Sequence, residues 1–167
     1  MKIMLIRHAG AEPMSEQWEG RDDERPLTQV GIRRFRRAVK GIRRLGLAPT
    51  VVLTSPLVRA RHSASWLLAG LRQSGLSVVV SESLRPDAPP ELPPEVMDMP
   101  SDSLVVLIGH NPHLQHLAVR LLLGRDEGLR FNLKKGGMMI LDIDDPSKPG
   151  TATLSCLMTQ RQLRHIS

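Results

Sequence analysis

Apolar residues in this chain form two kinds of pattern, and the two kinds alternate. Short, nearly unbroken apolar runs occur in "KIMLI", "PTVVLTS", "LSVVVSE" and "DSLVVLIGH". Such runs suit strands covered on both faces. Between them lie stretches with helical spacing. In "GIRRFRRAVKGIRRLG", Ile32, Phe35, Val39, Ile42 and Leu45 fall close to i, i+3, i+7 and make one inward stripe. Thr28 is placed to cap that helix, and Gly46 stands just past its end. "SPLVRARHSASWLLAGL" predicts a second helix, with Ser55 as cap and Pro56 in the first turn. "NPHLQHLAVRLLLG" predicts a third, ending at Gly124. "GGMMILDI" and "ATLSCLMT" read as a closing pair of strands, a hairpin across "DDPSKPG".

Strands alternating with helices predict an α/β fold, a three-layer α/β/α sandwich around a mainly parallel sheet. The polar stretch "EPMSEQWEGRDDERP" is a loop, and "LRPDAPPELPPEV" is a proline-rich loop with room for one helical turn. A fourth strand follows the second loop directly, so the expectation is a single domain spanning 1–167. No internal repeat interrupts it.

Composition narrows the class. Apolar content of 41% with 24% charged residues is ordinary for a globular protein, and aromatics at 2% leave the core to aliphatic side chains. The one cysteine, Cys156, rules out an internal disulfide and fits a reducing compartment. No charged-then-apolar leader opens the sequence, and no apolar run approaches the ~20 residues a bilayer requires. The expectation is a cytoplasmic protein without a membrane partner.

Net charge is +6, and Arg33, Arg34, Arg36, Arg37, Lys40, Arg43 and Arg44 all lie on the first helix. The plain reading of that arc is a solvated amphipathic face, and the second is docking to an acidic protein. Nucleic acid is disfavoured, because no aromatic side chains are interleaved for stacking.

Three polar signals stand just past the ends of strands. These are Arg7-His8, then Arg59 in "SPLVRAR", and His110 in "GHNP". The carboxyl ends of parallel strands are where α/β sheets bind ligands. Two histidines and two arginines meeting there make a cationic pocket suited to a tetrahedral dianion, with helix N-termini behind Ser55-Pro56 and Asn111-Pro112 acting in the same sense. Taken singly, Arg7 could pair with Asp22 or Asp23, Arg59 could be a solvated helix residue, and His110 could end a strand. A metal site of His110, His113 and His116 is disfavoured, since residues six apart on a helix face different ways and no cysteine or carboxylate completes the set.

"LIRHAGAE", "RPLTQVG", "TSPLVRARHSA" and "IGHNPHLQHLA", in that order, resemble the motifs of the histidine phosphatase superfamily, also called phosphoglycerate mutase-like. The spacing and small size are most similar to its SixA-type phosphohistidine phosphatase branch. The resemblance runs from Ile3 to about Asp142. It implies an α/β sandwich with no metal and no cofactor, and His8 as a nucleophile that becomes phosphorylated. It further implies that Arg7 and Arg59 bind the phosphoryl oxygens and that His110 binds the same group and steadies the transition state. His62 stands where the family more often has glutamine or glutamate, which makes it pocket rim at most.

Many superfamily members also carry an acid after the third strand. The SixA-like pattern would put it at Ser83, so Glu82, one residue away, and Asp87 are the candidates. Without a working acid an alkoxide leaves poorly, whereas imidazole, with a reference pKa near ~6.5, leaves readily. The resemblance therefore implies hydrolysis of phosphohistidine on a protein, a histidine phosphotransfer domain being one such carrier, with inorganic phosphate as product. The short chain between His8 and Arg25 suggests an uncovered pocket. Two alternatives stand beside this reading: a small-molecule phosphomonoesterase, and a phosphate-binding module without turnover.

Overall fold

A computed structural model describes residues 1–167. Six strands form one sheet: β1 (Lys2–Arg7), β2 (Val51–Thr54), β3 (Ser77–Val80), β4 (Leu104–Gly109), β5 (Met138–Asp142) and β6 (Thr153–Met158). Their spatial order is β3-β2-β4-β1-β5-β6. The first four are mutually parallel, and the hairpin β5-β6 closes the sheet antiparallel to β1. Four helices complete the fold: α1 (Gln29–Arg44), α2 (Val58–Leu71), α3 (His113–Leu123) and α4 (Gln160–Ile166). The mainly parallel α/β sandwich expected from the pattern is the fold observed.

Alternation along β1 explains the three layers. Met4 and Ile6 face one way, into a core with Phe35, Val39 and Ile42 of α1, Ala60, Ala64 and Leu67 of α2, and Leu163 of α4. Ile3 and Leu5 face the other way, onto Leu114, Leu117 and Leu121 of α3 and onto Leu84 and Val96 from the proline-rich segment. Both faces of the central strands are covered, which is why their sequences are continuously apolar. β3 is the exception. It lies at the sheet edge, and its Val78 and Val80 are exposed.

Helix α1 begins as expected, with the Thr28 hydroxyl accepting from the Gly31 N–H at 2.9 Å. Helix α2 does not. It starts at Val58 with Leu57 at the cap, and Pro56 precedes it. Proline disfavours the helical region for the residue before it, so Ser55 stays outside the helix, its hydroxyl accepting from the Leu57 N–H at 3.4 Å. Helix α4 had no expectation attached to it. Its Thr159 and Gln162 form a capping box, and it packs along α1.

Candidate phosphate site at the strand ends

Strand register brings the two histidines together. Arg7 pairs with Gly109 across the parallel β1-β4 ladder, and the His8 N–H donates to the Gly109 carbonyl at 3.0 Å. His8 and His110 therefore each stand one residue beyond a matched pair, with ring centroids 5.0 Å apart. Both are buried.

The His8 ring is fixed at one nitrogen. Its Nδ1 lies 2.7 Å from the Ala9 carbonyl, an acceptor only, so Nδ1 carries the proton and Nε2 carries the lone pair. Burial is the main cause lowering the His8 pKa to about 3, and the charges of Arg59, Arg7 and Lys135 act in the same direction, against the Ala9 hydrogen bond. The imidazole is neutral at pH 7. His110 is likewise neutral, lowered to about 2 first by burial and then by His8 and Arg59. Its Nε2 meets Ser55 Oγ at 2.8 Å. Its Nδ1 is buried without a protein partner.

Arg59 lies in the first turn of α2 and is buried. Its guanidinium donates to the Asp22 carbonyl at 2.7 Å and to the Asp22 carboxylate at 2.8 Å. Arg25 holds the other oxygen of that carboxylate at 2.7 Å. Arg7 does not pair with Asp22 or Asp23, one of the readings open from sequence. Its Nη1 donates to the Leu133 carbonyl at 3.3 Å instead. Asn111 donates to the same carbonyl at 3.0 Å, and the Gly136 N–H reaches the Arg7 and His8 carbonyls at 2.9 and 3.1 Å. The segment before β5 thus braces the site and brings Lys135 to it. Lys135 has its pKa lowered by burial and by the charges of Arg7, Arg25 and Arg59.

Glu82 and Asp87 make no hydrogen bond or ion pair with these residues. Both are exposed carboxylates gathered around Arg85, at 3.7 and 3.6 Å, and Arg85 also holds Asp23 at 2.6 Å. The carboxylate at the site is Asp22. Burial opposes its ionisation, but the hydrogen bonds and charges of Arg25 and Arg59 outweigh that, and its pKa lies below the usual carboxylate range. The segment between His8 and Arg25 folds into two short 3-10 turns, Glu16–Trp18 and Asp22–Glu24, tied down through Asp22 and Asp23.

His113 points away from His110, its Nε2 donating to the Pro89 carbonyl at 3.1 Å, and His116 is exposed. No group of three or more His, Cys, Asp or Glu side chains converges on a common metal position. His62 is exposed on α2. No helix is long and apolar enough to cross a membrane.

Sequence reasoning missed Ser55 as a partner of His110, Arg25 and Asp22 as a clamp on Arg59, Lys135, and Ser63. The Ser63 hydroxyl accepts from the Ala9 N–H at 3.0 Å. The "RPLT" stretch held the only usable signal, an arginine retained beside the helix cap.

A cationic cradle with a tautomer-fixed histidine has relatives. The sequence pattern of the histidine phosphatase superfamily (branch 1) matches residues 3–86. An uncharacterized protein of Picosynechococcus sp. is 33% identical over 144 residues, covering 83% of each chain. The fold superposes on that of the protein histidine phosphatase SixA complexed with tungstate, with a TM-score of 0.75 and 21% identity over 98% of this chain and 99% of that one. It also superposes on the alpha-ribazole phosphatase from Shigella flexneri, with a TM-score of 0.60 and 18% identity over 96% and 97%. With three of the four ordered motifs at strand ends and the pattern matched across half its length, the chain belongs to the histidine phosphatase superfamily, branch 1.

Proposed function

We propose that the protein is a phosphohistidine phosphatase acting on phosphorylated proteins, with His8 as nucleophile. The observation that carries the reading is the state of the carboxylates. Glu82 and Asp87 are exposed and turned to Arg85, and Asp22 is held ionised between Arg25 and Arg59. None of these three carboxylates is free of an arginine partner, so a leaving oxygen is poorly supplied with a proton. A leaving imidazole has much less need of one, because it departs at a far lower pKa than an alkoxide and can take its proton from water.

Nε2 of neutral His8 attacks phosphorus in line, its P–N bond forming as the bond to the substrate nitrogen breaks. Arg7 and Arg59 bear the equatorial oxygens and His110 supports the developing charge, which is most of what phosphoryl transfer asks of a protein. Water then attacks the phosphorylated His8, and inorganic phosphate leaves with the imidazole restored. The incoming phosphoryl group takes Arg59 from Asp22, exchanging one anionic partner for another. The likeness of the fold to SixA is in keeping with this substrate class.

A small-molecule phosphomonoesterase is the rival, in keeping with the likeness to alpha-ribazole phosphatase. The test is phosphate release from a phosphohistidine carrier protein beside release from a simple phosphate monoester, with His8→Ala as control. Faster release from the carrier, lost in the variant, is the expected result. Preference for the ester would overturn the substrate, and turnover surviving in His8→Ala would overturn the nucleophile.

A further inference from the structure

At the end of the molecule away from His8, α1 and α2 enclose a small cavity of about 130 Å³ lined by Arg36, Lys40, Arg43, Arg72, Trp66 and Gly70. None of these four cations is in an ion pair, and no carboxylate lines the concavity. Gathering like charges around one concavity without carboxylates costs free energy, and a bound polyanion would relieve it.

Two of the four are already aimed. The Arg36 guanidinium lies over the Trp66 ring, 4.9 Å from its centroid. Arg43 reaches the Gly70 carbonyl at 3.5 Å. Gly70 also sets the close helix approach, since a Cβ there would stand 2.5 Å from a methyl of Val39. The concavity is shaped by helix packing, and its four cations stand exposed around it. Its distance from the phosphate site follows from α2 itself. Arg59 is in the first turn and Arg72 just past the last, about 20 Å apart at ~1.5 Å per residue.

We infer that this cavity is a second anion site, for a small molecule bearing a diphosphate or longer condensed phosphate. Four positive charges select for multiple negative charge. The volume of about 130 Å³ suits phosphoryl groups. Stacking of a nucleic acid base is disfavoured because Arg36 already covers the Trp66 face. Binding here is separate from turnover at His8 and does not depend on the substrate proposed above.

Trp66 supplies a local readout, the only other tryptophan being Trp18. In a Trp18→Phe, His8→Ala protein, in which Trp66 alone emits and the proposed nucleophile is absent, diphosphate and tripolyphosphate would be titrated against emission. Inorganic phosphate and sodium chloride at matched ionic strength serve as controls. The expected result is a saturable change with the condensed phosphates at concentrations at least tenfold below those for inorganic phosphate, weakened at least tenfold by Arg36→Gln with Arg43→Gln. Arg72→Gln alone gives a second, milder variant, and thermal melting verifies that each variant is folded. A change that tracks ionic strength alone, or an affinity untouched by the cavity substitutions, would overturn the proposal.

Discussion

Ser55 Oγ lies 2.8 Å from Nε2 of His110, joining the residue after β2 to the residue after β4. This contact orients the ring whose other nitrogen has no protein partner. Ser55→Ala removes it and leaves the buried imidazole free to rotate. The expected outcome is a fall in kcat of about tenfold, equivalent to ~1.4 kcal/mol in the barrier. Stability should fall by about 1–3 kcal/mol, the range for a buried polar group losing its partner. Steady-state kinetics beside urea unfolding would separate the two, and an unchanged kcat would remove Ser55 from the site.

Acid should act on stability before it acts on the nucleophile. His8 and His110 sit well below the ordinary histidine value of 6.5, at about 3 and about 2. Between these limits the unfolded chain binds protons that the folded chain refuses, so stability falls as pH falls from about 6.5. Each histidine contributes a slope of up to ~1.4 kcal/mol per pH unit once the unfolded side chain is protonated. Melting temperatures from pH 7.5 to 4.5 should drop less steeply in His8→Gln than in the parent. The kcat/KM profile should carry no His8 titration near pH 6.5, and an inflection there belonging to His8 would contradict the buried neutral ring.

If Arg59 binds the phosphoryl group as proposed, Asp22 competes with phosphate for it. Asp22→Asn keeps the shape but removes the negative charge that Arg25 and Arg59 now clamp. Inhibition by inorganic phosphate should tighten severalfold, measured as a lower inhibition constant, with kcat not raised. Weaker phosphate binding would mean that the carboxylate chiefly positions the two arginines.

Gly31 tests the join between helix and nucleophile loop. A Cβ at Gly31 would stand 2.8 Å from the Gly10 carbonyl carbon and 2.9 Å from its Cα. Alanine normally gains up to ~1 kcal/mol over glycine inside a helix. Here the sign should reverse, with a loss of about 1–3 kcal/mol for overpacking. Because Gly10 lies two residues after His8, kcat should fall with stability, and a stabilised Gly31→Ala protein would refute the contact.

What was legible in the sequence was what repeats or stands in fixed order. Buried strands betray themselves by unbroken apolar runs, α1 by its stripe and the Thr28 cap, and Arg7, His8, Arg59 and His110 by their place after strands. The misses share a cause. Ser55 was taken for a cap because Ser-Pro often starts a helix, and only the three-dimensional approach of β4 shows its partner. Asp22, Arg25 and Lys135 enter the site across long sequence separations, which local pattern does not encode. Helix α4 is short, and its inward residue, Leu163, carries too little periodicity to announce a helix.

The matched pairing of Arg7 with Gly109 has a consequence for how such a molecule can change. Because His8 and His110 meet through the ladder between two central strands, their spacing is a property of the sheet and owes little to the segments that surround them. Those segments can lengthen, shorten or alter their charge without changing the spacing of the two rings. A single residue inserted within β1 would do the reverse, turning its following side chains to the opposite face and parting the two rings. Diversity of substrate and constancy of chemistry can therefore be inherited separately within one chain.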